Sequence, residues 1–308
     1  MNTAPAPSSA NARALVLAGA GAAGNAWQLG LIAGLAEAGI DLTTADLIIG
    51  TSAGSTVAAQ ITSGMRPTEL YAAIMAEAPP PRARTGSGSG TGGADRRRAP
   101  GISGPDYLEW SNRIIASSSD ASDMRRRMGA AALERDESDG SGAARWRAIV
   151  ATRLARHDWP GQPVLIPAVD ARTGEPVVFD RDSGIDLVDA VAASTSSMIP
   201  YRIGEHRYLN GGYRRSSNAD LAAGYARVLV LEPFGGRSRT PLEWGMDLAT
   251  QVEELRAGGS RVETVFPDAG AGDVFNANAL DPSTRRPAAR GGYDQGLALA
   301  ERLLEFWR

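Results

Sequence analysis

Two short, largely apolar runs near the amino terminus, each leading into a glycine, constrain the fold of this chain most strongly. The runs Ala14–Ala18 and Asp46–Gly50 are predicted to be buried strands, and a segment with the apolar spacing of an α-helix follows each of them. The order strand, helix, strand, helix within the first 64 residues is typical of a parallel sheet covered by helices. The sequence therefore predicts an α/β fold with three layers, α/β/α, around a mainly parallel central sheet.

The strand pattern resumes in the second half of the chain. Apolar runs at 164–169, 176–179 and 227–231 predict further strands. The tail at 294–307 carries apolar residues at the spacing of a helix that docks on the rest of the fold. Because these elements continue the same α/β pattern, we expect a single domain over residues 13–308.

Three segments depart from this pattern. Residues 1–12 are small and polar, and we expect a disordered tail there. Residues 79–105 are rich in Gly, Ser, Pro and Arg, cannot supply a core, and are predicted to form a flexible insertion. Residues 106–157 combine apolar and charged residues and are predicted to form amphipathic helices. This helical segment either caps a site on the sheet or is a surface insertion without a gating role.

Composition excludes several kinds of function. The formal net charge of −3 gives no electrostatic attraction for nucleic acid, so we expect no nucleic-acid partner. The chain has no cysteine and two histidines, and we expect no metal site and no cofactor. No uninterrupted apolar stretch of about 18 residues predicts a membrane-spanning helix, and no secretory signal is evident. We expect a cytoplasmic protein that contacts a membrane surface transiently.

The strongest chemical motif is the G-x-S-x-G sequence Gly50–Gly54, which lies between a predicted strand and a predicted helix. A tight turn at this place lifts a serine hydroxyl out of the sheet, and only glycines on either side allow so sharp a bend. The start of the helix adds positive potential beside the hydroxyl. Ser52 is therefore the candidate nucleophile, although a chance turn in a glycine-rich chain would carry the same pattern.

A second glycine motif, the G-x-G-x-x-G loop Gly19–Gly24, follows the first predicted strand. Such a loop can hold a dinucleotide pyrophosphate, present backbone amides to an oxyanion, or simply make a strand-to-helix turn. A dinucleotide site usually has an acidic residue after the second strand, and here Gly50–Gly54 occupies that place. Because both motifs follow strands of one parallel sheet, the Gly19–Gly24 amides can face Ser52 if the strands are neighbours.

The residue that activates Ser52 is not evident from a histidine motif. A serine hydroxyl needs a base within hydrogen-bonding reach. His157 lies in a charged stretch, and His206 lies in a predicted turn with about a third of the chain still to follow. We therefore expect both histidines to be surface residues.

The order of the two glycine motifs and a distant Asn210–Gly212 segment resembles that of patatin-like phospholipases, whose third motif is D-G-G/A. The flanking segments Ala26–Gly30, Ala193–Pro200 and Tyr208–Gly212 are similar too, and the resemblance spans residues 13 to about 232. It implies a patatin-like fold, a Ser–Asp dyad that works without histidine, and lipid ester substrates. It further implies an oxyanion hole from the first loop and glycines that support the motifs. The oxyanion residues would be Gly19, Ala20, Gly21 and Ala22, and the supporting glycines would be Gly24, Gly50, Gly54, Gly211 and Gly212.

The sequence departs from the family's pattern at two positions. Ala23 stands where the family often has Lys or Arg, and Asn210 stands where it has the catalytic aspartate. A neutral amide cannot accept the serine proton, and loss of a general base costs about 10²- to 10⁴-fold in rate. We therefore expect a phospholipase A or carboxylesterase type of hydrolase that is impaired by Asn210. The alternative is a non-catalytic lipid-binding protein or scaffold of the same fold.

Three explanations for Asn210 stay open at this point. The chain is an engineered inactive variant, a naturally inactive protein, or one in which the motif is misplaced. The near-isosteric change from aspartate in an otherwise intact framework favours the first. Asn210–Gly211 is also the typical sequence of a type I′ hairpin turn. Such a turn does not conflict with a catalytic role, because an exposed base would lie in a turn.

Overall fold

A mixed sheet forms the centre of the fold. The computed structural model describes residues 11–78, 104–136 and 139–308. Within these ranges the strands are β1 (Arg13–Leu17), β2 (Leu47–Gly50), β3 (Val164–Asp170), β4 (Pro176–Phe179), β5 (Tyr201–Ile203), β6 (His206–Asn210), β7 (Arg227–Leu231) and β8 (Arg261–Val265). They lie in the order β5-β6-β3-β2-β1-β7-β8, and β4 pairs with β3 outside this path.

The sheet is parallel at its centre and antiparallel at one end. The path β3-β2-β1-β7-β8 is parallel throughout, whereas β4 and β6 pair antiparallel with β3, and β5 pairs antiparallel with β6. Because β1 and β2 are parallel neighbours, the loops after them emerge side by side at one edge of the sheet. The three-layer α/β fold with a mainly parallel sheet, predicted from the sequence, is confirmed.

Side chains that alternate along the central strands explain the three layers. In β1, Leu15 and Leu17 pack into one buried cluster, and Ala14 and Val16 pack into another on the opposite face. The first cluster includes helices α1 (Gly21–Glu37), α2 (Ala53–Ile61), α3 (Pro67–Ala76), α7 (Leu187–Thr195) and α9 (Arg285–Trp307). The second includes α8 (Leu248–Ala257).

The segment predicted to be helical contains three helices, α4 (Gly104–Ala116), α5 (Ala121–Leu133) and α6 (Ser141–Ala151). A third apolar cluster joins Trp110 of α4 and Met128 of α5 to Leu209 of β6. The helices α4 and α5 therefore dock against the antiparallel end of the sheet.

Several element bounds differ from those expected. Helix α9 begins at Arg285, whereas the sequence predicted a start near residue 294. The prediction missed the first turns because they are rich in arginine and lack the apolar spacing of a docking helix. Helix α8 and strand β8 were not predicted, because both are partly exposed and carry no continuous apolar run. Residues 1–10 of the predicted disordered tail lie outside the described residues. Ala12, which the prediction placed in that tail, is buried, and its carbonyl oxygen accepts hydrogen bonds from the Ala226 and Arg227 amides. Residues 79–103 of the predicted flexible insertion also lie outside the described residues, and its last two residues, 104 and 105, belong to α4.

The two longest helices of the described structure, α1 and α9, pack through glycines that meet the facing backbone. A Cβ atom at Gly30 would lie 2.0 Å from the Ala289 carbonyl oxygen, and one at Gly34 would lie 2.3 Å from that of Tyr293. Gly292 of α9 makes the same close contact with α1, because a Cβ atom there would lie 2.2 Å from the Trp27 carbonyl oxygen. Among the described helices, none combines the length and the hydropathy that spanning a lipid bilayer requires.

We predict that Gly30→Ala destabilises the protein, although alanine favours helix formation by about 1 kcal/mol over glycine. The added methyl group would force α1 and α9 apart, at a cost on the order of 2–3 kcal/mol. Urea unfolding measures this loss. The control is Gly161→Ala, at a position where a Cβ atom meets nothing within 4 Å, and its unfolding free energy should change by less than about 0.5 kcal/mol. Equal stability of the two variants would contradict the prediction.

Candidate active site

Ser52 lies in a strained turn between β2 and α2. Its φ of 53° and ψ of −122° lie outside the regions that L-residues normally adopt. Glycines on both sides make room for this turn. A Cβ atom at Gly54 would lie 2.0 Å from the Leu17 carbonyl oxygen, and one at Gly50 would lie 2.6 Å from the Gly54 carbonyl oxygen. The sharp turn predicted for G-x-S-x-G is therefore present.

Asn210 lies beside Ser52, although the two residues are 158 positions apart in sequence. It ends β6, where it pairs with Ala168 of β3. Its Nδ2 donates a hydrogen bond of 2.9 Å to Ser52 Oγ. Its Oδ1 accepts a hydrogen bond of 2.9 Å from the Gly212 amide. The two candidate residues are thus within direct hydrogen-bonding distance.

The type I′ turn considered for Asn210–Gly211 is wrong. Both central residues of such a turn need a positive φ, whereas Asn210 has a φ of −46° and begins a short 3₁₀ helix, Gly211–Tyr213. The glycine is needed for a different reason. A Cβ atom at Gly211 would lie 2.2 Å from the Pro167 carbonyl oxygen, so the turn packs directly on β3.

The first glycine loop packs against the other side of Ser52. A Cβ atom at Gly19 would lie 2.7 Å from Ser52 Cβ and 3.3 Å from Ser52 Oγ. Helix α1 begins at Gly21, which has a φ of 57°. Within the described structure the amides of Gly19 to Ala22 have no hydrogen-bond acceptor, whereas the Ala23 amide donates to the Ala279 carbonyl oxygen. Free amides at a helix start beside a hydroxyl suit an anion that forms on a carbonyl oxygen.

A cavity of about 1190 Å³ opens above these residues. Gly19, Ala20, Gly21 and Ala22 line it together with Ser52 and Asn210. Apolar side chains from several elements also reach it, among them Leu70, Leu108, Ile115, Met124, Trp146 and Phe275. Its size and its apolar lining suit a long acyl chain.

Two further polar residues lie at the site: Ser194, within the Ala193–Pro200 segment that resembles the family, and Glu232, which no sequence motif indicated. Ser194 Oγ accepts a hydrogen bond of 3.0 Å from the Ser52 amide. Glu232, at the end of β7, lines the cavity with only 5% of its surface exposed. Burial raises the pKa of its carboxyl above the ordinary value, and hydrogen bonds from the Ser217 hydroxyl and the Phe234 amide oppose part of this rise. The family resemblance covered the segment of Ser194 without giving that residue a contact, and no local spacing signal marks a buried glutamate, so both contacts became evident only from the fold.

Both histidines of the chain are described, and neither lines the cavity. The His206 side chain is 67% exposed and lies 3.7 Å from an Asp170 carboxylate oxygen. It begins β6, so the turn predicted for it is wrong. The exposed His157 ring lies 3.1 Å from the Ala151 carbonyl oxygen. Within the described ranges no group of three or more His, Asp or Glu side chains could hold a metal ion.

Comparison with known proteins places the chain in a family. The family model "Patatin-like phospholipase" matches residues 15–223, which is more than half of the chain. The structure of VipD from Legionella pneumophila is 14% identical, with a TM-score of 0.45, and the match covers 95% of this chain and 67% of that one. The type III effector protein ExoU is 15% identical, with a TM-score of 0.35, and the match covers 96% of this chain and 54% of that one. No match was found among curated proteins. By its family model, the chain belongs to the patatin-like phospholipases, a family of lipid acyl hydrolases.

Proposed function

We propose that this chain is a lipid acyl hydrolase with Ser52 as nucleophile and residue 210 at the position of the general base, and that Asn210 impairs it. The observation that carries the proposal is the 2.9 Å hydrogen bond between Asn210 Nδ2 and Ser52 Oγ. It holds two side chains from distant parts of the chain in the geometry that a nucleophile and its base require. Patatin-like phospholipase family membership supports the ester class of the substrate.

The direction of the hydrogen bonds explains the impairment. The Gly212 amide donates to Asn210 Oδ1, so this oxygen faces Gly212 and the Nδ2 group faces Ser52. An NH₂ group donates and has no basic lone pair, so it cannot take the serine proton. An aspartate in the same position would keep one oxygen on the Gly212 amide and turn the other toward Ser52 as an acceptor.

With aspartate at position 210, the reaction follows from this geometry. Ser52 Oγ attacks the ester carbonyl as the carboxylate takes its proton, and the amides of Gly19 to Ala22 hold the resulting oxyanion. The carboxyl group then gives the proton to the departing alcohol, which leaves an acyl group on Ser52. Water, activated by the carboxylate, hydrolyses this acyl-enzyme, releases the fatty acid and restores the hydroxyl.

We predict that Asn210→Asp raises kcat for a p-nitrophenyl ester by about 10²- to 10⁴-fold, because it supplies the missing base. Initial rates with the unchanged chain and the variant measure the gain. Adding Ser52→Ala to the Asn210→Asp chain should remove the gained activity. A folded Asn210→Asp protein without any gain would contradict the proposed function.

We also predict that Gly19→Ala, in the Asn210→Asp background, lowers kcat by about 10²- to 10³-fold. The new Cβ atom would lie 2.7 Å from Ser52 Cβ, so the loop and the nucleophile must move apart. The loop amides would then no longer lie within hydrogen-bonding distance of the oxyanion. Stopped-flow or steady-state rates measure the loss, and Gly161→Ala in the same background is the control. Unchanged kcat in a folded Gly19→Ala protein would argue against the oxyanion hole.

The second candidate function is lipid binding without hydrolysis. It is favoured by the Asn210 amide, which donates to Ser52 beneath a largely apolar cavity. This function requires that the chain binds a fatty acid and that Asn210→Asp brings no turnover. Fatty-acid titration by calorimetry, run beside the ester assay of both proteins, separates the two candidates.

The cavity lining favours a substrate with an anionic group. Among the described residues, four arginines line it, namely Arg153, Arg237, Arg239 and Arg285, against the two acids Glu77 and Glu232. Glu77 pairs with Arg285, whereas Arg153 stacks on the Trp146 ring at 5.2 Å and has no acidic partner within the described structure. A phosphate-bearing lipid ester would place its charge near Arg153.

We predict that Arg153→Gln, in the Asn210→Asp background, raises KM about tenfold for an ester that carries a phosphate group, the value of one charge-assisted hydrogen bond. KM for an uncharged ester of equal chain length should stay within about twofold. The matched control is Arg156→Gln, because this exposed arginine lies outside the cavity lining. Equal KM changes for both esters would remove the argument for an anionic substrate.

We propose that residues 13–308 act as one domain and that α4 to α6 cap the site, since Leu108, Met124 and Trp146 of these helices line the cavity. A cytoplasmic location, transient contact with a membrane surface and the absence of a nucleic-acid partner stay predictions from the sequence.

A further inference from the structure

The residues next to Ser52 and Asn210 in sequence are joined by a third residue, Asn218. Thr51 precedes Ser52, and Gly211 follows Asn210. Asn218 Nδ2 donates hydrogen bonds of 3.0 Å to both Thr51 Oγ1 and the Gly211 carbonyl oxygen. One side-chain amide therefore ties the segment that carries the nucleophile to the segment that carries residue 210.

The orientation of the Asn218 amide is fixed from its other side. Asn218 Oδ1 accepts a hydrogen bond of 2.8 Å from Arg214 Nη1. Arg214 also forms two hydrogen bonds to the Asp220 carboxylate, at 2.9 and 2.7 Å. A guanidinium group only donates, so the amide oxygen must face Arg214 and the NH₂ group must face Thr51 and Gly211.

Asn218 adopts a backbone conformation that would normally select glycine. Its φ is 56°, and besides Ser52 it is the one described non-glycine residue with a positive φ. Asparagine tolerates this region better than most residues, but glycine adopts it without strain. The side chain is fully buried and makes three hydrogen bonds, so its contacts explain why asparagine stands here.

The hydrogen bond from Asn218 to Thr51 is the first of several buried hydrogen bonds. Thr51 Oγ1 donates to the Ser217 carbonyl oxygen at 3.2 Å, and the Ser217 hydroxyl donates to the Glu232 carboxylate. Thr51, Ser217 and Asn218 have at most 1% of their surface exposed. Hydrogen bonds in such buried surroundings are electrostatically stronger than in water.

We propose that Asn218 is a positioning residue that holds Ser52 and residue 210 at hydrogen-bonding distance. It touches neither the hydroxyl of Ser52 nor the side chain of Asn210, and acts through Thr51 and Gly211. Small displacements of reacting groups matter, because an error near 1 Å can cost about 10²-fold in rate. The expected effect on kcat rests on the proposed function, whereas the effect on the separation of Ser52 and residue 210 rests on the distances alone.

The kinetic test uses Asn218→Gly in the Asn210→Asp background. Glycine keeps the backbone conformation and removes all three side-chain hydrogen bonds. We expect kcat to fall about 10- to 100-fold while KM for the p-nitrophenyl ester stays within about twofold, because the cavity is unchanged and the reacting pair is loosened. A folded variant with unchanged kcat would overturn the inference.

Two further variants separate positioning from general stability. Thr51→Val removes the hydroxyl that Asn218 contacts and should lower kcat in the same way, and Thr51→Ser should recover most of that loss. The matched control is Ser260→Ala, which removes a buried hydroxyl that donates to the Tyr225 carbonyl oxygen at 2.7 Å, at the amino end of β8 and so at the opposite edge of the sheet. It should lower the melting temperature and leave kcat within about twofold. An equal fall of kcat in Ser260→Ala would show that lost stability alone explains the effect.

The structural test does not depend on activity. In a crystal structure of Asn218→Gly with Asn210 retained, the separation of Ser52 Oγ and Asn210 Nδ2 should exceed 3.5 Å. A separation that stays at 2.9 Å would overturn the inference even if the chain hydrolyses esters. Failure of Asn210→Asp to gain activity, together with a widened separation, would count against the proposed function and leave the positioning role intact. If Asn218→Gly does not fold, Thr51→Val serves for both measurements.

Discussion

The structure depends on a close approach of backbones at the carboxyl ends of β1 and β2. No Cβ atom fits at Gly19, Gly50 or Gly54, where the nearest atoms would lie between 2.0 and 2.7 Å away. The glycines make room for the strained turn at Ser52 and allow the first loop to lie against its side chain. Sterics thus fix Ser52, the proposed nucleophile, and the neighbouring amides, so this half of the site is independent of the residue at position 210.

The other half of the site depends on hydrogen bonds, whose direction decides between binding and catalysis. Asn210 makes the bond to the Gly212 amide that a carboxylate would also make, so the turn is supported with either side chain. A carboxylate at this half-buried position would carry a desolvation cost that the amide avoids. Asparagine therefore supports the turn without this desolvation cost, but it cannot act as the general base proposed for this position.

The sequence could predict the features that are set by neighbours along the chain. Ser52 and the Gly19–Gly24 loop follow from glycine spacing after buried strands, and Asn210 follows from its resemblance to a known motif. Asn218 and Glu232 could not be predicted in this way, because no motif singles them out and their partners come from other segments. Ser194 lies in the similar segment Ala193–Pro200, but its contact with the Ser52 amide also required the fold. The sequence also predicted too late a start for α9. Its first turns consist mostly of small residues and arginines, so they lack the helical spacing of apolar residues on which the prediction relied.

The buried polar chain beneath the cavity serves a purpose that an apolar floor could not. Apolar side chains would fill the space between Thr51 and Gly211, but contacts without direction allow two segments to slide by fractions of an ångström. The amide of Asn218 has fixed donor and acceptor sides, and Arg214 determines which side faces the reacting pair. A sheet brings two distant segments near one another, and directional bonds then set the separation that proton transfer requires.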